Sequence, residues 1–505
     1  MTRLTVDIDL NRVEGDLEFQ LDLEDGVVVD ARCIGTLYRG FEQIMIGRAP
    51  RDSLVITPRV CGICGTAHLY AATLALEQIA GIAPPAHAVH VRNLCLMAET
   101  LQSDLRQTFL FFTPDFCNPL YAGHSLASEV TAAFAPLKGS VVRGCLKSTR
   151  ELIGIVAIFG GQWPHSTYML PGGITQPANA RRLLETREIL ADVRDWFEQA
   201  VIGGDLDEWL ALDGGPALFR WMAASPTRAG SALGLFNRFA RDIGLHKLGT
   251  GTGHLLSYGV NQRPDGSGSE LAAGFFNADT QRVEALDHLQ INEHVRHSWF
   301  LDYPGGRHPW AGETIPDHQP GSDRYTWAKA PRYGDKVVQT GPLAELRIAG
   351  EALITDLLNS EGDNTWLRQF ARLRRAGWLL NSLVDTTDRL KAVIDEAHFI
   401  DPKIGVWPDG ESYGLVEAAR GALGHWIRIR NGVIEKYQIV TPTAWNASPR
   451  DSSGRHGHWE QSIIGLPVAD PENPVEIGHI VRSHDPCLVC TVHFIGSHKK
   501  THFNV

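Results

Sequence analysis

The chain has 505 residues, is 43% hydrophobic and 21% charged, and carries a formal net charge of −11. That is the balance of a folded protein with two or three ordinary domains, or with one large core and outer layers. The acidic balance argues against nucleic acid as a partner, no apolar run reaches membrane-spanning length, and eight cysteines over this length exclude a disulfide scaffold.

The opening MTRLTVDIDL lacks the charged-then-apolar order of a secretion signal, which predicts a cytoplasmic protein whose membrane association, if any, runs through partners. Residues 4–10 and 17–34 alternate as strands do, with Asp25-Gly26 placed to turn a hairpin. Helical spacing predicts helices over 68–80, ended by Gly81, over about 86–112, and over 177–202. It predicts another over about 343–397 with a break near Gly362. The Gly/Pro/aromatic-rich stretch of about 250–341 is too long for a loop and predicts short strands in irregular packing. HWIRIR, Asn431-Gly432 and VIEKYQIV predict a second hairpin. The fold class expected is mainly α with small peripheral β elements, an α+β arrangement around a helical core.

Two Cys-x-x-Cys pairs stand at opposite ends, RVCGICGTAH over 59–68 and DPCLVCTVH over 485–493. Four thiolates that meet in space can hold one soft metal centre. A closed zinc site, a pair of thiol–disulfide motifs and a redox metal centre all use this pattern. Zinc sites of this type usually sit within one small unit, and neither flank offers the βαβ context of a redox motif. Spacing alone does not choose between zinc and a redox metal. Cys33, Cys95, Cys117 and Cys145 are scattered singly and read as buried small hydrophobes.

The flanks carry more. Arg59-Val60-Cys61-Gly62-Ile63-Cys64 with His68, and Asp485-Pro486-Cys487-x-x-Cys490-x-x-His493, resemble the large catalytic subunit of nickel–iron hydrogenases. RVEGD at 12–16, Arg39-Gly40-Phe41-Glu42, EAARGALGHW at 417–426 and PTAWN at 442–446 resemble further segments of that family, so the likeness runs through nearly the whole chain. It implies a single large-subunit domain over 1–493, with the metal site buried between the two Cys motifs. It also implies a C-terminal extension, 494–505, removed on maturation by an endopeptidase after nickel-insertion proteins have acted.

By this resemblance Cys61 and Cys487 would be terminal nickel ligands, and Cys64 and Cys490 would bridge nickel to an iron carrying carbon monoxide and cyanide. The reaction implied is heterolytic cleavage of dihydrogen, with Cys487 as first proton acceptor and Glu14 as outward relay. Arg420 would cover the iron side, charge-balanced by Asp485 and Asp104. Thr443 would be a second donor to cyanide. His68 would donate to the Cys64 sulfur. Glu42 and His493 resemble ligands of a magnesium or similar cation. Outside the four assigned cysteines the chain has no iron–sulfur motif. The electrons would therefore pass to an iron–sulfur small subunit in a heterodimer, with higher oligomers of heterodimers open. Asp16, where the family often has His, Ala419, where it often has Pro, and the His-poor LRQTFLFFTPDF resemble the cytosolic uptake or hydrogen-sensing branch. Three other readings compete: a hydrogen sensor of low turnover, a scaffold like the quinone-site subunit of respiratory complex I, and a zinc-stapled structural protein. The four cysteines argue against the scaffold.

Overall fold

The computed structural model describes residues 3–10 and 17–487. Arg3–Leu10 (β1), Leu17–Glu24 (β2) and Val27–Gly35 (β3) form an antiparallel sheet. Asp25 and Gly26 both take positive φ, 48° and 82°, the mirror-image turn that matches strand twist. Alternate residues of β2 (Leu17, Phe19, Leu21, Leu23) turn inward against Trp459, Ile463 and Ile480.

The helical core is built on Gly65–Ala80 (α1) and Ala86–Arg106 (α2). Nearly every side chain of both is buried; the polar ones of α2 are compensated by partners, as Arg92 is by Glu77 and Asp104 by Arg372. α1 begins three residues earlier than the spacing predicts because Cys64 itself occupies the N-cap, and it ends at left-handed Gly81. α2 passes at Gln107 into one wide π turn that continues to Phe112. The 177–202 helix divides similarly, into Ala180–Trp196 (α3) and a π turn over Phe197–Ile202. The region after 340 is three helices: Pro342–Ile348 (α4), Ala352–Glu361 (α5) and Thr365–Ala392 (α6), with the predicted break at Gly362. Between 255 and 333 the chain forms seven strands of three or four residues, as its composition predicts.

Gly410–Ala418 (β4), Gly421–Arg430 (β5) and Val433–Val440 (β6) form a meander, turned at its second corner by Asn431-Gly432 with φ 50° and 76°. This sheet lies deeper than the edge position expected. β4 packs on α1, and Val416, Leu423, Ile427 and Ile429 join the main core. Packing there brings the C-terminal third of the chain onto the first Cys motif. Among the described residues no helix is long and apolar enough to cross a membrane.

Candidate functional site

Cys61 and Cys64 sit on the tight turn that feeds α1, and Cys487 reaches them from the other end of the chain. The Cys61 and Cys487 sulfurs are 3.5 Å apart, and Cys64 packs in the same buried cluster. Cys61 and Cys487 are fully buried. The backbone N–H groups of Ile63 and Cys64 both point at the Cys61 sulfur at 3.4 Å, which favours a thiolate. Arg39 donates to the carbonyls of Arg59 and Val60, fixing the approach to Cys61. Cys490, Glu14 and His493 lie outside the described residues, as does the remainder of 488–505. Among the described residues no three ligand-type side chains converge on one point, so a closed four-sulfur site requires Cys490.

Arg420 comes from the two-residue turn between β4 and β5, where Ala418 pairs with Gly421. Two glycines set its aim. A Cβ at Gly421 (φ 123°) would lie 2.5 Å from both the Gly341 nitrogen and the Thr340 hydroxyl, and one at Gly341 (φ 115°) would lie 3.1 Å from the Arg420 carbonyl. The guanidinium is 4% exposed. Its Nε is 3.2 Å from Asp485 Oδ1, while Nη1 has no hydrogen-bond partner among the described residues. Burial disfavours its charge, but Asp485 and the sulfurs of Cys487, Cys61 and Cys64 outweigh that and raise its pKa well above the ordinary value. A buried donor without a partner, facing three thiols, fits acceptor ligands on a metal held by those thiols.

Asp485 is a direct partner of Arg420, as expected. Asp104 is not. Its carboxylate binds Arg372 (2.9 Å) and Arg375 (2.6 and 2.9 Å), and Arg372 in turn reaches Asp485 at 3.4 Å. The physical reason is that α6 lies against α2 and supplies two arginines three residues apart, on one helix face, nearer to Asp104 than the β4–β5 turn. Asp104 therefore acts on Arg420 only through Arg372 and Asp485. Thr443 accepts the Cys487 N–H at 3.2 Å, which leaves its own hydroxyl proton to donate.

His68 is buried at the site, with a contact the sequence did not foretell. Its Nδ1 meets His425 Nε2 at 3.0 Å, and His425 Nδ1 meets the Tyr437 hydroxyl at 2.8 Å. Donation from His68 to the Cys64 sulfur is not among the contacts shown; the sulfur charge that acts on the ring is that of Cys61. Burial lowers the His68 pKa to about 4 and that of His425 well below its ordinary value, so both rings are neutral. Glu99 was also missed. It accepts from the Thr66 and Ala67 N–H groups at the start of α1 and from the Trp163 indole, and burial pushes it up to about 7.

Glu42 lies on the wall of a separate cavity of about 80 Å³. It accepts from the Ile439 N–H at 2.8 Å and from the Thr314 hydroxyl, with Lys329 at 3.6 Å. Glu293 lies 3.3 Å from the same ammonium, and burial, reinforced by Glu42, pushes it up to about 7. Glu42 and Glu293 thus turn carboxyl oxygens, the donors a hard cation takes, onto the walls of this cavity.

Of the residues missed, Arg372 and Arg375 left a signal: arginines embedded in the otherwise apolar centre of α6. His425 and Glu99 left none that local pattern could separate from an ordinary strand or helix.

The geometry has counterparts among known proteins. The family model for nickel-dependent hydrogenase matches residues 39–136 and 238–493. The periplasmic [NiFeSe] hydrogenase large subunit of Desulfomicrobium baculatum is 32% identical, over 98% of this chain and 95% of its own length. The hydrogenase-2 large chain of Escherichia coli K12 is 28% identical, over 98% and 97%. The solved reduced, active Ni-Fe-Se hydrogenase of Desulfomicrobium baculatum superposes with a TM-score of 0.82 at 30% identity, covering 97% of this chain and 100% of that one.

Proposed function

The chain belongs to the nickel-dependent hydrogenase family, and from that premise we propose that it is the catalytic large subunit of a nickel–iron hydrogenase that oxidises dihydrogen to protons and electrons. The observation that carries this is the buried thiol cluster with the Arg420 guanidinium, its Nη1 without a hydrogen-bond partner among the described residues, buried within reach of the three sulfurs' charge. When bound, the nickel–iron group, its iron carrying carbon monoxide and cyanide, supplies polarisation of dihydrogen and takes up its electrons.

Cys61, Cys64, Cys487 and Cys490 would hold that group. Arg420 Nη1 and the Thr443 hydroxyl would donate to its outer ligands, and Asp485 holds the guanidinium for it. The Cys487 sulfur accepts the proton and Glu14 passes it outward. His68 holds a fixed tautomer through His425. Glu42, with His493, takes magnesium or a similar cation in the cavity beside Lys329.

Electrons leave through an iron–sulfur small subunit. Ile44, Ile46 and Val55 are 42–48% exposed on the short segments leading into Cys61, an apolar face where that partner would dock. Loading falls to nickel-insertion proteins and a maturation endopeptidase, because sulfurs buried this deeply are not reached from bulk water.

The test is an infrared spectrum of the purified complex in the triple-bond window, with metal analysis and dihydrogen-dependent reduction of an artificial acceptor. Carbonyl and cyanide bands with turnover are expected. Zinc alone, with a blank window and no turnover, would overturn the reading.

A further inference from the structure

Arg420 stands at one end of a buried ionic chain. Asp485 joins it to Arg372, Arg372 to Asp104 at 2.9 Å, and Asp104 to Arg375. Arg375 continues to Glu345 on α4, and the Glu345 carboxyl neighbours that of Glu417 on β4. All seven side chains are almost wholly buried. Arg420, Arg372 and Arg375 supply three positive charges. Asp485, Asp104, Glu345 and Glu417 would supply four negative ones.

The surplus sits at the far end. Glu345 Oε2 and Glu417 Oε2 are both buried and both without a hydrogen-bond partner among the described residues. Two ionised carboxylates side by side in a dry site repel, and neither can donate. One proton turns the two orphaned oxygens into donor and acceptor and makes the chain of seven neutral. Glu417 is the member placed to exchange that proton. Its Oε1 accepts the Tyr258 N–H, and the residue lines a cavity of about 390 Å³ with mixed walls, where Tyr70, Asn93, Asn261 and Gln262 stand beside Leu74 and Leu96. No other member of the chain lines that cavity, which has ample room for water.

We propose that Glu417 is a positioning residue that carries an exchangeable proton, supplied from the Tyr70–Asn261–Tyr413 cavity, and that this proton sets the net charge of the chain ending at Arg420. Burial and the neighbouring Glu345 charge raise the Glu417 carboxyl well above its ordinary value, in keeping with a protonated resting state. The charged and titratable groups that face it are Glu345, with Arg375 behind it, the phenols of Tyr258, Tyr70 and Tyr413, and Arg263 across the cavity. Loss of the proton leaves one uncompensated negative charge, which draws Arg375 from Asp104 and loosens Arg372 and Asp485 in turn. The only bond made or broken is O–H, with water as the source.

The proposal rests on the hydrogenase reading for one of its two readouts. The intact complex is compared with Glu417→Gln, which cannot lose the proton, and with Glu417→Asp, which can. The first readout is the parent-minus-Glu417→Gln infrared difference in the carboxylic C=O region, which cancels the protonated carboxyls elsewhere such as Glu99 and Glu293; a band that shifts in heavy water is expected in that difference. The second is the pH profile of dihydrogen oxidation. Its alkaline limb is expected to move up by about one pH unit or more in Glu417→Gln, and to return in Glu417→Asp. A difference spectrum without that band, or an alkaline limb that stays where it was, overturns the proposal. A parent without dihydrogen turnover sinks the hydrogenase reading instead, and the band still decides on the proton. If Glu417→Gln does not fold, Glu345→Gln serves, since it too must abolish the shared proton and move the limb.

Discussion

Two chains of side chains leave the thiol cluster, and they are built on opposite plans. On the Arg420 side every link is an ion pair: Arg420 to Asp485, Arg372, Asp104 and Arg375. On the His68 side every link is neutral: His68 to His425 at 3.0 Å, and His425 to Tyr437 at 2.8 Å. The ionic plan keeps its guanidinium groups charged, because they do not titrate in the working range, and leaves any change of charge to its carboxylate end. The neutral plan fixes direction, since each imidazole has one N–H and the bond to its neighbour decides which nitrogen carries it. A site that separates a proton from its electrons uses both: a charged frame on one side, an oriented donor on the other.

The comparison breaks most violently at Asp104. Asp104→Asn leaves Arg372 and Arg375 buried without their shared carboxylate, at a cost of about 3–5 kcal/mol; a denaturation midpoint close to that of the parent would show the chain is not ionic in effect. Arg420→Lys keeps the charge and loses the fork. Dihydrogen oxidation is expected to fall about 100-fold, with shifted cyanide bands in the infrared, and unshifted bands would remove Arg420 from contact with the metal's ligands. On the neutral side, Tyr437→Phe strands His425 Nδ1 and costs about 1–2 kcal/mol, with a smaller loss of activity than Arg420→Lys; an equal loss would erase the distinction drawn between the two plans.

The gentlest probe is pH. His68 has a folded pKa of about 4 against an ordinary 6.5. The unfolded chain therefore binds a proton between those values that the folded chain refuses. Stability from this group is fully present above pH 6.5 and is lost as pH falls toward 4, at a slope of up to about 1.4 kcal/mol per unit. Urea midpoints measured across that window should fall, and His425→Gln should flatten the fall by removing a second buried neutral ring. An unchanged slope would mean the rings already titrate in the folded state.

The sequence was most informative where chemistry is local. The Cys61–Cys64 turn, the left-handed Asp25-Gly26 and Asn431-Gly432 corners and the stop at Gly81 each follow from a few adjacent residues. So did the short-stranded 255–333 region, whose Gly, Pro and aromatic content leaves no periodic face for a long element. Asp104 shows the limit. Its burial could be guessed, but its partners lie more than 260 residues away on α6, and no spacing rule links them. His68 was placed correctly at the thiols while its bonded partner, His425, was not foreseen, because strand residues on β5 reveal which face they turn but not what waits there. The inward position of the β4–β6 sheet was lost for a related reason: strands buried on both faces lack the alternation that marks depth.

The paired glycines beneath Arg420 have a consequence for how the arginine is mounted. The hairpin tip rests on Thr340-Gly341, with no space for a methyl group at Gly421. Shifting the root of the arginine therefore means shifting a strand. The tip is a fixed bracket: its arm can pivot, but its mount cannot slide.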